Sequence, residues 1–245
     1  MKLKGKVALV TGGAKRVGKE IALALASRGC SVAITYRGSL REAQATVAAL
    51  RKKKVRAAAF QVDQRSGPQV RQAVRRVIET FGRIDVLINS ASSFYPVPWE
   101  KVDDEVWEES IATNLGGPWH FSHAVGKQMK RRGSGKIINI ADASAVRSPW
   151  LDYLPYSIAK GGLVTLTHGM AKALAPEVQV NAIAPGPILP PPGLSAAEKK
   201  KAAAMTLLKR WGSPSDIAAA ALFFLEGSDY VTGTVLPVDG GRLLA

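Results

Sequence analysis

Apolar positions along this chain fall into two patterns that take turns. Short apolar runs, rich in β-branched residues, occupy Lys6–Gly12 (KVALVTG), Ser31–Tyr36 (SVAITY), Val55–Val62 (VRAAAFQV), Asp85–Ser90 (DVLINS), Lys136–Ala141 (KIINIA) and Val178–Pro185 (VQVNAIAP). Between them, stretches such as KEIALALASRG and GPQVRQAVRRVIETFG space their apolar residues as a helix with one buried face does. Strands that are apolar at consecutive positions have no face to offer water. The alternation therefore predicts an α/β fold, a single Rossmann-type doubly wound parallel sheet flanked by helices on both faces and spanning residues 1–245 as one domain. One segment stands apart: APGPILPPPGLS (Ala184–Ser195), whose prolines forbid regular pairing and predict a shaped flap above the strand ends.

Composition narrows the classes. With 245 residues, 47% of them hydrophobic, the chain can bury a sizeable core. It contains no run of about 18 apolar residues, so no membrane span is expected, and its first apolar segment is too short for a signal peptide. Its one cysteine, Cys30, cannot form an internal disulfide, which fits a reducing, cytoplasmic setting. The net charge of +15 invites a nucleic-acid reading. The basic runs are scattered, however, at Arg51–Lys54, Lys127–Arg132 and Glu198–Lys201, near the ends or surfaces of predicted helices. We read them as solvated faces and expect an anionic small molecule, not a nucleic acid, as partner.

The first strand runs into TGGAKRVGKEIALAL (Thr11–Leu25). Gly12 can take a tight turn, Gly18 allows close packing of the following helix, and the free N–H groups at the helix start suit a pyrophosphate. A lone glycine-rich turn also simply ends strands, but this one opens an alternating βα series. Here the chain resembles the short-chain dehydrogenase/reductase family, whose landmarks occur in order: the glycine turn, Asp63 after the third strand, NSA (Asn89–Ala91) after the fourth, Asn114 in TNLGG, Tyr156 and Lys160 as Tyr-x-x-x-Lys, Pro185 and Gly186 after the sixth, and YVTGTVLPVDGG near the end. It departs from the family pattern at Arg16 in place of the middle glycine, at NSAS, and at Asp142 in place of the usual serine. Those departures resemble the pteridine reductases, as do TGGAKRVG and ASSFYP (Ala91–Pro96).

Tyr156 and Lys160 stand four apart and share one helical face, so the ammonium is expected to lower the phenol pKa toward neutrality and make Tyr156 a general acid. Asp142 admits two readings. It can be a turn or cap residue. Alternatively, standing where the family places a serine that donates to a carbonyl oxygen, a carboxylate suits a substrate that presents N–H groups, such as a ring whose C=N bond takes up a proton at nitrogen. Phe94 either covers the core or, as the resemblance implies, stacks on a flat pterin ring. Tyr95, Trp99 and Trp150 are candidates for the same mouth. Tyr156 follows Asp142 by 14 positions (156 − 142), one more than the resemblance leads one to expect.

The end of the second strand, TYRGS, carries no acid for a ribose hydroxyl and offers Arg37 and Ser39 with Arg16 nearby, which points to the 2′-phosphate of NADPH. The pteridine reductases have arginine where Gly38 stands here. The resemblance further implies that Val17, Tyr36, Gln64, Asn89, Ala91, Ser92 and Ile188 join Gly12, Gly18, Asp63, Pro185 and Gly186 around the cofactor. It places Asn114 with the catalytic residues, Arg16 and Ser92 beside the substrate, and the C-terminal GSPSDIAAAALFFL helix in a subunit contact of a homotetramer. The sequence reading is thus an NADPH-dependent reductase of a pterin or folate-like ring. Two alternatives stay open: a carbonyl (keto or 3-oxoacyl) reductase of the same family and a non-catalytic NADPH-binding regulator.

Overall fold

Seven parallel strands build one sheet in the computed structural model, which describes residues 1–147, 149–190 and 193–245. They are β1 (Val7–Val10), β2 (Ser31–Tyr36), β3 (Ala57–Gln61), β4 (Val86–Asn89), β5 (Gly135–Ile140), β6 (Val178–Pro185) and β7 (Val235–Val238). The helices are α1 (Arg16–Ser27), α2 (Leu40–Arg51), α3 (Gly67–Phe81), α4 (Asp104–Ile111), α5 (Gly117–Arg131), α6 (Ser144–Arg147), α7 (Leu154–Leu174), α8 (Ala196–Ala204) and α9 (Pro214–Leu222). The spatial order β3-β2-β1-β4-β5-β6-β7 is that of a doubly wound sheet: the chain winds outward from β1, then returns to lay β4 on its other side. A crevice opens at the carboxyl ends of β1 and β4, where the winding reverses.

The consecutive apolar positions do what the pattern predicts. Ala8, Val10, Val32, Ile34, Ile88 and Ile138 enter the core on one side of the sheet, while Val7, Leu9, Ala33, Leu87 and Ile137 enter the core on the other. Side chains alternate across a strand, so helices cover both faces of the central strands, and the edge strands β3 and β7 are left partly exposed. At the amino end of the strands, Asp85 is buried and accepts from Val7 N (3.0 Å) and Arg132 Nη2 (2.8 Å), and is also held by Arg83.

Two predicted strands, Ser31–Tyr36 and Val178–Pro185, match to the residue, and the other four are displaced by a residue or two at their ends. β7 is not among the predicted strands: its apolar run, VLPV, is only four residues long and holds Pro237, and it lies at the sheet edge, partly exposed along its length. In α9, Ile217, Ala218 and Ala221 are buried within the chain, where the helix packs against α1, and Phe223 just beyond it is 52% exposed. Of the proline-rich flap, Pro191 and Pro192 lie outside the described residues. Its near end is fastened by Gly186 N to Val238 O (3.0 Å) and by Gly212 N to Pro187 O (2.9 Å). No described helix is long and apolar enough to cross a membrane.

Candidate active site

A cavity of about 1150 Å³ opens over the carboxyl ends of the strands, where the β1–α1 turn, the segments after β2, β4 and β5, and the flap meet. Three strand ends are tied together beneath it. Thr11 Oγ1 accepts from Ser90 N (2.9 Å) and Ala91 N (3.0 Å), and Gly12 N donates to Thr35 Oγ1 (3.4 Å). Gly12 has φ +63°, and a Cβ on it would lie 2.7 Å from Ala91 Cα, so the turn can pass here only without a side chain. Gly18 is required for the same reason: a Cβ there would lie 2.5 Å from Gly12 O.

The wall at α1 fits an anionic group. Lys15 occupies the N-cap position without a side-chain capping bond and the first turn has no acid, which leaves the first N–H groups of α1 open toward the cavity lined by Lys15, Arg16, Val17 and Gly18. Arg16, in the family's middle-glycine position, keeps the glycine-like backbone at φ +55°, a conformation costly for an arginine. Its Nη2 reaches Leu189 O at 3.5 Å and so joins the turn to the flap. Arg37 and Ser39 line the far end beside Tyr36. Ser39 makes no capping bond to α2, and Arg37 is mostly exposed, with Nη1 3.9 Å from Glu109 Oε1. Asp63 also lines this end, held by the Arg65 guanidinium at 2.6 Å, which lowers its pKa below the usual carboxylate value. Gln64 is buried and spends its amide on Thr113 O (2.8 Å) and Ala91 O (3.2 Å).

At the other end, β5 delivers Asp142 and α7 delivers Tyr156 and Lys160. Asp142 makes the bonds of a turn residue and also faces the tyrosine: Oδ1 accepts from Ser144 N (2.8 Å) and Ser144 Oγ (2.6 Å) at the start of α6, while Oδ2 accepts from Tyr156 OH at 3.0 Å. The longer Asp142–Tyr156 spacing therefore does not separate the pair. Lys160 is buried and donates to Ile140 O at 2.6 Å, with Nζ 5.6 Å from the Tyr156 ring centre. The expected lowering of the tyrosine pKa is overturned. Burial pushes the phenol well above its ordinary value, and the charge and hydrogen bond of Asp142 push it further, because each penalises a phenolate. Lys160 moves the other way, to about 8, because burial disfavours the ammonium more than Asp142 supports it.

Phe94 lines the cavity, 40% exposed, so it does not merely cover the core. Its ring stacks on Tyr153 at 4.3 Å and meets the edge of Tyr156 at 4.8 Å. Trp150 joins this cluster 6.2 Å from Phe94, whereas Tyr95 turns its hydroxyl to Glu109 Oε2 (3.1 Å) and Trp99 is exposed on a separate turn. Ala91, Ser92, Pro185, Gly186 and Ile188 complete the wall. Two expected residues lie behind it. Asn89 is buried between β4 and α5, donating to Ser122 Oγ (2.9 Å) and Asn139 Oδ1 (2.8 Å). The Asn114 side chain fastens the segment after β4, accepting from Ser92 Oγ (2.6 Å) and Ser93 N (3.2 Å) and donating to Ser93 O (3.1 Å). Both asparagines shape the site from below. Tyr153, Arg242 and Met205 line the cavity without having been singled out from the sequence. A signal existed only for Tyr153, three positions before Tyr156 across the start of α7.

With this geometry in hand, comparison with known proteins places the chain. A family model described as enoyl-(acyl carrier protein) reductase matches residues 12–242, and the chain belongs to the short-chain dehydrogenase/reductase family of oxidoreductases. It is 35% identical over 244 residues to the 3-oxoacyl-[acyl-carrier-protein] reductase FabG of Staphylococcus epidermidis, covering 98% of this chain and 99% of that one. Among solved structures, it is similar to a blue fluorescent protein from a metagenomic library in complex with NADPH (36% identity, TM-score 0.91, 99% of each chain). A short-chain dehydrogenase from Burkholderia cenocepacia in complex with NADP is similar at 31% identity, with TM-score 0.92 and 99% of each chain.

Proposed function

We propose that the protein is an NADPH-dependent reductase of a pterin-type or folate-like ring, in which a C=N bond receives a hydride at carbon and a proton at nitrogen. The observation that carries this reading is the hydrogen bond from Tyr156 OH to Asp142 Oδ2 at 3.0 Å. A serine at position 142 would offer a carbonyl oxygen a donor; a carboxylate offers an acceptor, which suits ring and exocyclic N–H groups. NADPH fits the residues present: the uncapped start of α1 for the pyrophosphate and Arg16, Arg37 and Ser39 for the 2′-phosphate, consistent with the NADPH- and NADP-bound relatives. When bound, the cofactor supplies the hydride. Tyr156 then gives its proton to the substrate nitrogen, Asp142 holds that phenol and the substrate's N–H groups, and Lys160 supports the tyrosine from beneath. Phe94, backed by the Tyr153 ring stacked on it, lines the part of the cavity where the ring would lie, and Asn114 and Ser92 hold the loop that carries Phe94.

A second reading has its own support. Similarity to the 3-oxoacyl-[acyl-carrier-protein] reductase FabG favours a 3-oxoacyl or other carbonyl substrate over a pterin. In that reading Tyr156 protonates an alkoxide oxygen and Asp142 serves only as the α6 cap. Following NADPH oxidation with dihydrobiopterin, dihydrofolate and acetoacetyl-CoA side by side decides between them: turnover of the pterins is the expected result, and turnover of acetoacetyl-CoA alone transfers the protein to the second reading. We further read the assembly as a cytoplasmic homotetramer.

A further inference from the structure

The C-terminal end of the chain enters the site, and nothing in the hydride-transfer scheme uses it. After β7, Gly240 (φ +65°) and Gly241 (φ +79°) turn the backbone through the left-handed region in two consecutive steps. Asp239, buried, locks the turn by accepting from Gly241 N (2.9 Å) and Leu243 N (2.8 Å). The turn rests on the segment after α8, with Leu208 N donating to Gly240 O (3.1 Å). It brings Arg242 to the cavity wall, where its Cζ lies 5.0 Å from the centre of the Trp150 ring. A guanidinium held over an aromatic face keeps edge N–H groups available for a planar anion, and the contact of Nη2 with Met205 Sδ (4.0 Å) is to a weak acceptor that an anion would displace. Among the described residues, no carboxylate lies within 4 Å of it, although Asp152 and Glu198 line the same cavity. Glu198 is committed to its own helix start, accepting from Ser195 N (2.9 Å) and Ser195 Oγ (2.6 Å). Lys201 lines the cavity from α8 and adds a second cation.

The order of rings fixes where this cation stands. Tyr156 touches Phe94 (4.8 Å), Phe94 neighbours Trp150 (6.2 Å), and Trp150 carries Arg242. A ring reduced beside Tyr156 and extending past Phe94 toward Trp150 would bring a substituent to the Arg242 end of the cavity.

We propose that Arg242 is a specificity-determining residue that seats an anionic tail distal to the reduced bond, so that the physiological substrate carries a carboxylate or phosphate on its side chain. This deepens the proposed function and rests on its placing of the reacting group at Tyr156. The test compares a charged with a neutral substrate of the same reaction: dihydrofolate, with its carboxylate tail, against dihydrobiopterin. In Arg242→Gln, the ratio of kcat/KM for dihydrofolate to that for dihydrobiopterin is expected to fall about tenfold, the scale of one charge-assisted hydrogen-bonded pair, and Arg242→Lys should recover part of it. A ratio unchanged from the parent overturns the proposal. If the parent reduces neither pterin, the pterin reading has failed by itself, and the same ratio is taken for acetoacetyl-CoA, with its phosphates, against ethyl acetoacetate. A tenfold fall there supports a phosphate-bearing tail, and an unchanged ratio overturns Arg242's role under either chemistry. The melting temperature of each variant confirms that the fold is intact.

Discussion

Tyr156 is a phenol whose proton is held rather than loosened. Half-buried in the cavity wall and bonded to a carboxylate, it is held neutral well above its ordinary range, so it is loaded as an acid. Replacing it by Phe removes the transferable proton but little volume. Tyr156→Phe should therefore abolish turnover while a fluorescence titration shows NADPH binding nearly intact. Lys160 sets the pH limit. Its pKa is lowered from 10.5 to about 8, so the ammonium costs stability at neutral pH and that cost is relieved as pH rises from about 8. Activity has the opposite sign: the supporting charge is present below about 8 and lost above it, so kcat/KM should fall as pH climbs through that value. Asp142 raises the Lys160 pKa, so Asp142→Asn should move the falling limb to lower pH; a limb that stays in place removes Lys160 as its source. Asp142→Ser separates the two substrate classes. It should lose pterin reduction by about a hundredfold or more, while ketone reduction stays flat or rises. The pairing of Tyr156 with Lys160 was legible from their spacing; the direction of the tyrosine shift was not, because it depends first on how far the fold desolvates the phenol and then on Asp142 closing to 3.0 Å across a loop of unknown path.

Among the elements, the strands were legible because a sheet buried on both faces must write nearly every strand position in apolar residues, as β2 and β6 do. β7 escaped because its apolar run is only four residues long and is interrupted by Pro237. The cavity wall was legible wherever backbone geometry dictates residue type. Gly12 and Gly18 are there because side chains would collide, while Asn89 and Asn114 belong to motifs that brace the wall from behind, a distinction carried by side-chain direction alone. The glycine turn yields a paired prediction. Gly12→Ala forces a Cβ to 2.7 Å from Ala91 Cα at a positive φ, which should cost about 1–3 kcal/mol in urea unfolding and weaken NADPH binding as the β4 segment is displaced. Gly38 has nothing within 4 Å of such a Cβ, so Gly38→Ala serves as control and should leave both measurements close to the parent.

For the whole molecule, the net charge of +15 finds part of its use at the cavity, where Lys15, Arg16, Arg37, Lys201 and Arg242 gather around a site suited to polyanions. We read the assembly from two exposed apolar areas, one of them at the end of the C-terminal helix that the sequence pointed to. With the α9 face closed against α1, the large apolar side chains left in water include Trp107 on α4, Trp119 on α5 and Ile158 on α7, each more than 40% exposed. α7 packs against both α4 and α5, so these side chains come from one neighbouring group of helices. Phe223, at the end of α9, and the fully exposed Tyr230, just before β7, mark a second apolar area. Two such areas on one chain permit two distinct two-fold contacts, and two two-fold contacts close a tetramer. Light scattering at micromolar concentration should therefore give the mass of four chains. Trp119→Glu places a charge in the first area alone, so it should reduce the assembly to dimers that retain the melting behaviour of a folded subunit. A parent protein that scatters as a monomer removes the tetramer, and a Trp119→Glu variant that remains tetrameric moves the contact off α5.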